Sequence, residues 1–198
     1  MERVKINTEY LASHARHNSV FKHFPTDNAL YCSDVAKVMP HILTRYGEAE
    51  LQAALIALEL HGHVGLYALL GVKMGCRALE LLDVGRGDLS VRSFAGLKPP
   101  LSCLNDGLQA STGATLGHGT ISVEPLQVPH VEALFTTGEK TLRLTLKRDF
   151  MQLIDDELRD LIRQTGNDTP EYWAAVRALA IDKWLRFDRR SIFDEREE

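Results

Sequence analysis

Cysteine is scarce in this chain. Cys32, Cys76 and Cys103 are three thiols at wide spacing, an odd number that argues against a disulfide framework and for free thiols in a reducing compartment. No apolar run approaches the ~20 residues of a membrane-spanning helix. The start, Met1-Glu2-Arg3-Val4-Lys5-Ile6-Asn7, has no apolar core of the kind that directs export. Basic residues are not in excess. The formal net charge of −4 argues against nucleic acid as the main partner, because neutralising phosphates takes a clustered basic surface. There is no internal repeat and no low-complexity segment. The expectation is a cytoplasmic protein with neither membrane nor nucleic acid as partner.

What is present fits one well-buried domain with an appendage. The 198 residues are 44% hydrophobic and 25% charged, an ordinary soluble globular balance. His14, Arg16, His17, Lys22 and His23 make a locally basic segment, read as a surface arm or first helix. Cys32 to Met39 predicts a short helix capped by Ser33 and stopped by Pro40. From Glu48 to Leu60 the pattern is helical. Glu48, Gln52 and Glu59 share a narrow stripe, and Leu51, Leu55, Ile56 and Leu58 fill most of the rest, so that helix is expected to be buried. Leu66 to Leu82 repeats the character, with Lys73, Arg77 and Glu80 as its polar stripe and Cys76 on its apolar face. Gly71 and Gly75, four apart, would let another element approach closely.

Gly85 to Asp88 reads as a turn, and Leu89 to Phe94 alternates like a strand. Ser102 is placed to cap a short helix from Cys103 to about Thr112. Strand-like segments follow at Gly119 to Glu124, Val131 to Phe135 and Thr141 to Lys147, with Thr137-Gly138-Glu139 as a hairpin turn. Phe150, Leu153, Ile154, Leu158, Leu161 and Ile162 form one face of a helix interrupted at Gly166-Asn167. Thr169-Pro170-Glu171 starts another, with Trp173, Val176, Ala180, Trp184 and Phe187 expected in the core or at a subunit interface. The tail from Asp194 to Glu198 is read as frayed. The order gives an α+β fold with one mostly antiparallel sheet: a domain over 1–147 and a helical appendage over 148–198.

The chemistry-bearing stretch is His61-Gly62-His63, at the break between the two apolar helices. On a regular helix residues two apart diverge by roughly 200°; at an irregular corner they can converge, and paired imidazoles are a frequent start for a zinc site. The alternative is a pair of corner histidines capping helix carbonyls. As a first helical residue Cys103 would have a lowered thiol pKa, or it is simply a small buried cysteine. Asp106, one turn on, could be a ligand, an acceptor behind a ligand, or a general base. Asn105 and Gln109 add neutral hydrogen-bonding groups. Thr112-Gly113-Ala114-Thr115-Leu116-Gly117-His118-Gly119 is either an anion-binding concavity or a set of tight turns. It matches neither a phosphate-binding P-loop nor a dinucleotide fingerprint. His118 could add a nitrogen ligand or a proton carrier.

Together these motifs resemble the FmdE family of formylmethanofuran dehydrogenase, over roughly residues 48–147. That family typically carries His-Gly-His-x-Cys-Pro-Gly, then Cys-x-x-Asp-[Ala/Gly]-[Ile/Leu]-Gln, then Thr-Gly-Cys-Thr-x-Gly-Lys-Gly-Asn. Here His61-Gly62-His63 stands for the first. Cys103, Asp106, Gly107, Leu108 and Gln109 match the second, and Thr112, Gly113, Thr115, Gly117 and Gly119 the third. The resemblance implies an α-β-α-β-β-β core like the catalytic domain of glyceraldehyde-phosphate dehydrogenase. It also implies a bound transition metal, usually zinc, on His61, His63 and Cys103. Gly65 stands where the family has cysteine, Ala114 replaces the second cysteine, and His118 replaces the lysine. The C-terminal zinc ribbon of some members is absent.

Three functions follow as expectations. The leading one is a metal-binding protein, expected to be a homodimer, with an accessory or carrier role in metal or redox-enzyme metabolism. The second is a zinc enzyme acting on a small substrate, with Asp106 or His118 as base. The third is an oxyanion-binding module built on the Gly113 to Gly119 loop, with Gln109 behind the site.

Overall fold

The computed structural model describes residues 21, 23–138 and 140–198; His14, Arg16, His17 and Lys22 of the basic segment, and Glu139 of the hairpin turn, lie outside them. The first long helix, α1 (Ser33–Tyr46), runs through Pro40 instead of stopping there, and its cap position is Cys32, not Ser33. A proline inside a helix removes one backbone hydrogen bond, but Ile42 and Tyr46 beyond it are buried, and that apolar contact carries the helix on for another turn and a half.

Helices α2 (Glu48–His61) and α3 (Leu66–Leu82) follow the expected boundaries closely. One assignment on α3 is corrected. Lys73 does not lie on a solvated stripe; its side chain is buried and bonded to Glu50 of α2. After strand β1 (Ser90–Ser93) and a 3-10 turn over Leu101–Cys103 comes α4 (Leu104–Thr112). The expected close approach to Gly71 and Gly75 is made by α4. A Cβ on Gly71 would lie 2.2 Å from the Leu104 carbonyl oxygen, one on Gly75 2.0 Å from Ser111 Oγ, and one on Gly107 1.9 Å from the Ala68 carbonyl oxygen. Only glycine at these positions allows the two backbones to come so near. This contact fixes the start of α4 beside the start of α3.

Strands β2 (Ile121–Val123), β3 (Glu132–Thr137), β4 (Lys140–Leu146) and β5 (Phe193–Glu197) complete, among the described residues, one five-stranded sheet in the order β2-β1-β3-β4-β5. The β1–β2 pair, separated by α4, is parallel, and the other pairs are antiparallel. Ile121, Val91, Phe135 and Leu142 are in register across four strands and all are buried. Alternate residues such as Ser90, Arg92, Thr141 and Arg143 take the opposite side of the pleat, as expected for a sheet with one covered face. The fold is α+β with a mixed sheet.

Helices α5 (Arg148–Thr165) and α6 (Pro170–Arg186) form the C-terminal part, with Thr169 Oγ1 accepting from the Tyr172 amide and Pro170 in the first turn. Trp184 and Phe187 join the same core as α2 and α3. The tail is not frayed. Its charged residues lie on β5, where Glu195 bonds Arg77, and Glu198 just past the strand bonds Arg143.

Candidate functional site

Three helix ends meet at the histidine corner: the last residue of α2, the start of α3 and the start of α4. Helix α2 ends because Gly62 adopts a left-handed φ of 81° and its N–H bonds back to the carbonyls of Leu58 and Glu59, a conformation glycine adopts without steric cost. His61 is therefore the last helical residue and His63 lies in the turn. Their rings are 4.2 Å apart, centroid to centroid, but their surroundings differ.

His61 Nδ1 lies 2.7 Å from Asp106 Oδ2, with the two side chains 10% and 32% exposed. An ionised carboxylate can only accept, so in the neutral form of the ring Nδ1 would carry the proton and Nε2 would keep its lone pair. Nε2 is buried and has no hydrogen-bond partner among the described residues. A Cβ on Gly65 would lie 2.8 Å from Nε2 and 2.7 Å from Cδ2. Gly65, the position where the resembling family has cysteine, is the floor on which the ring rests.

His63 borders the C-terminal helix α6. It meets Trp173 of α6 edge-on at 6.2 Å and lines a groove of about 560 Å³ with Val64, Trp173, Ala174, Val176 and Arg177. Burial, and then the charge of His61, hold its imidazole below the ordinary histidine range. Arg177 is fixed by Asp34 through two hydrogen bonds, at 2.6 and 3.0 Å.

Cys103 departs from its expected electrostatics. It ends a 3-10 turn and takes the cap position, its N–H bonded to the Pro100 carbonyl; Ser102 makes no side-chain cap bond there. Burial, and then the Asp106 carboxylate, push its thiol up, which overturns the helix-start lowering expected from sequence. Tyr67, one residue into α3, stands near it. Burial pushes that phenol up to about 12, and the charges of Asp155, Cys103 and Tyr172 act in the same direction. The C-terminal helices thus reach the corner. Tyr67, Asp155 and Tyr172 carry no motif, and Trp173, expected in a core or interface, is 49% exposed beside His63.

The glycine-rich loop is elsewhere. It leaves the opposite end of α4, about 13 Å along the axis from Cys103 at 1.5 Å per residue. Its amides at Gly113, Ala114, Thr115, Leu116, His118 and Gly119 bond to Gln109 O, Thr112 Oγ1, Thr120 Oγ1, Gln109 Oε1, Thr115 Oγ1 and Leu116 O. Gln109 thus clamps the loop to its helix. His118 is exposed there, with no side-chain hydrogen bond among the described residues.

The donor chemistry for a metal is partly in place. His61 presents a buried Nε2 with no partner among the described residues. Among the described residues, however, no three His, Cys, Asp or Glu side chains are gathered so that they could hold a metal ion. No described helix is long and apolar enough to cross a membrane.

A family model described as "FmdE, Molybdenum formylmethanofuran dehydrogenase operon" matches residues 60–194, from the corner past Lys147 and through both C-terminal helices. A "Probable S-adenosyl-L-methionine-binding protein" of Archaeoglobus fulgidus is 31% identical over 98 residues, covering 46% of this chain and 27% of that protein. The chain thus matches only about a quarter of that relative's length. A crystal structure of a tungsten formylmethanofuran dehydrogenase FmdE-like protein from Syntrophus aciditrophicus aligns with a TM-score of 0.43 at 16% identity, covering 83% of this chain and 71% of that one.

Proposed function

The chain belongs to the FmdE family, and on that footing we propose that it binds a transition metal, zinc being the expected ion, in an accessory or carrier role in metal or redox-enzyme metabolism. The observation that carries this reading is His61 Nε2, buried with no partner among the described residues while Asp106 occupies the other ring nitrogen. A buried acceptor without a partner costs roughly 1–3 kcal/mol. Such a cost is offset when a ligand takes the lone pair, and a carboxylate behind a histidine is the usual support of a metal-binding imidazole. His61, His63 and Cys103 are the proposed donors, although the described residues do not gather these three into a metal-holding group. A metal held there would supply a fixed positive charge and a Lewis acid. A domain shared with one component of an enzyme complex does not bring the activity of that complex.

The test is elemental analysis of untagged protein purified without chelator, wild type against His61→Ala and Cys103→Ser. About one equivalent of metal in wild type, lost in both variants, supports the proposal. Metal-free wild type that takes up none on titration overturns it. The groove beside His63 favours a second reading, a metal-dependent enzyme with a small apolar substrate. Because Trp184 is fully buried and Trp173 exposed, a substrate in the groove would quench only the solvent-facing fluorescence. Unchanged fluorescence across a library of small candidates would count against it.

A further inference from the structure

We propose that Asp106 is a positioning residue: it holds His61 in the Nδ1–H tautomer and in one rotamer, leaving Nε2 as the atom His61 offers to a ligand. The inference deepens the metal reading and rests on it for its purpose, though not for its test.

Three observations carry it. The Nδ1 to Oδ2 separation is 2.7 Å, a short charge-assisted contact. The ring has no latitude on its other side, because its Nε2–Cδ2 edge lies against Gly65, where even a methyl group would collide with it. The carboxylate is itself on a rigid mount: Gly107, the next residue, touches the α3 backbone at Ala68 so closely that a Cβ there would sit 1.9 Å from the carbonyl oxygen. The position of α4 on α3 therefore sets the position of the carboxylate, and the carboxylate sets the ring. A site whose donor is held by packing on rigid helices needs less reorganisation on binding.

The near-isosteric Asp106→Leu separates positioning from bulk. The carboxylate accepts from Nδ1–H, whereas leucine offers Nδ1 neither an acceptor nor a donor, so nothing there holds the proton at Nδ1. The readout is long-range 1H–15N NMR of 15N-histidine-labelled, metal-free protein, which separates the two neutral tautomers from each other and from imidazolium. Wild type is expected to show the neutral His61 ring protonated at Nδ1, Asp106→Leu to lose that preference, and Asp106→Glu to restore the wild-type pattern. Zinc affinity, measured by chelator competition, should fall by about 10- to 100-fold in Asp106→Leu and recover in Asp106→Glu. Nε2 protonation of the neutral ring in wild type, or an unchanged tautomer in Asp106→Leu, overturns the proposal, and the wild-type spectrum decides the first point whether or not a variant folds. If wild type shows the expected tautomer but binds no metal, the metal reading fails and the positioning role of Asp106 stands.

Discussion

Lys73 and Glu50 form an ion pair at 2.7 Å in which neither side chain exposes more than 1% of its surface. The second Glu50 oxygen accepts from Arg189 Nη1 at 2.7 Å, and the Arg189 guanidinium also bonds Glu80 and the Tyr46 carbonyl. Two buried cations therefore share one buried anion, and Arg189, from the segment after α6, is tied to α2 and α3. Removing the anion leaves Lys73 uncompensated and Arg189 with Glu80 alone, which costs about 3–5 kcal/mol for a broken buried pair. Glu50→Gln should lower the unfolding free energy in urea by that order. Lys73→Met, which leaves Glu50 still neutralised by Arg189, should cost clearly less. Equal losses in the two variants would contradict the shared-anion account.

The contact between α3 and α4 gives a second expectation. Gly107→Ala must push the helices apart, since the added carbon would collide with a backbone oxygen that cannot move alone. A loss of about 1–3 kcal/mol is expected, visible as a lower urea midpoint. Gly117→Ala is the control. It lies in the exposed loop, where the nearest atom to a new Cβ is 3.9 Å away, and its midpoint should stay within error of wild type or rise slightly.

The parts of the fold that are legible in the sequence are those decided locally. Helix α3 is readable to the residue because its apolar positions are dense and Gly65 and Asp83 flank it. The three-strand run through β4 is readable because Leu142, Leu144 and Leu146 alternate with polar neighbours. Pattern misleads where a distant residue decides. Pro40 stops a helix only if nothing beyond it is buried, and Ile42 is buried. Lys73 looks like a surface lysine until Glu50, 23 residues away, is brought to it. The tail's charges suggest disorder, yet Arg77 and Arg143, from other elements, satisfy them along β5 and just past it.

The candidate site divides the same way. His61 and Asp106 are visible as motif residues, and their chemistry follows from their types. Their mutual bond does not, because it spans 45 positions and depends on how α4 seats against α3. Motif order alone groups the loop and His118 with them, whereas α4 holds the two ends of that motif apart. Cys103 shows a limit of reasoning from helix ends: the dipole's pull on a thiol is outweighed by burial and one neighbouring carboxylate.

Asp34 and Arg177 give a pH-dependent expectation. The hydrogen bonds from Arg177 hold the Asp34 carboxyl below the usual carboxylate range. A folded-state pKa below the unfolded one means that the pair stabilises the fold at neutral pH. That contribution is lost as pH falls from the ordinary Asp value, about 3.9, through the lower folded value. The side chains are 42% and 34% exposed, so solvent screening limits the contribution to about 0.5 kcal/mol. Asp34→Asn should therefore be slightly less stable than wild type at pH 7, with the gap closing toward pH ~2 and shrinking in 1 M salt. A difference independent of pH would show that the pair acts through packing instead.

The seat of the His61 ring supplies the last expectation. Gly65 has an ordinary extended backbone, φ −100°, so alanine introduces no backbone strain there. Its Cβ would nevertheless fall 2.7 Å from His61 Cδ2 and 2.8 Å from Nε2, well inside contact distance. The ring has to swing away, and it cannot do so while Nδ1 keeps its bond to Asp106. Gly65→Ala should thus leave global stability within about 1–2 kcal/mol of wild type while weakening zinc binding as much as Asp106→Leu does. The two variants reach one result by different routes, so the double variant should be little worse than either alone, the non-additivity expected of groups that act on one ring. Chelator competition on the four proteins measures it. Full wild-type affinity in Gly65→Ala would mean that the ring's place against Gly65 is incidental, and additive losses would mean that Gly65 and Asp106 act on different parts of the site.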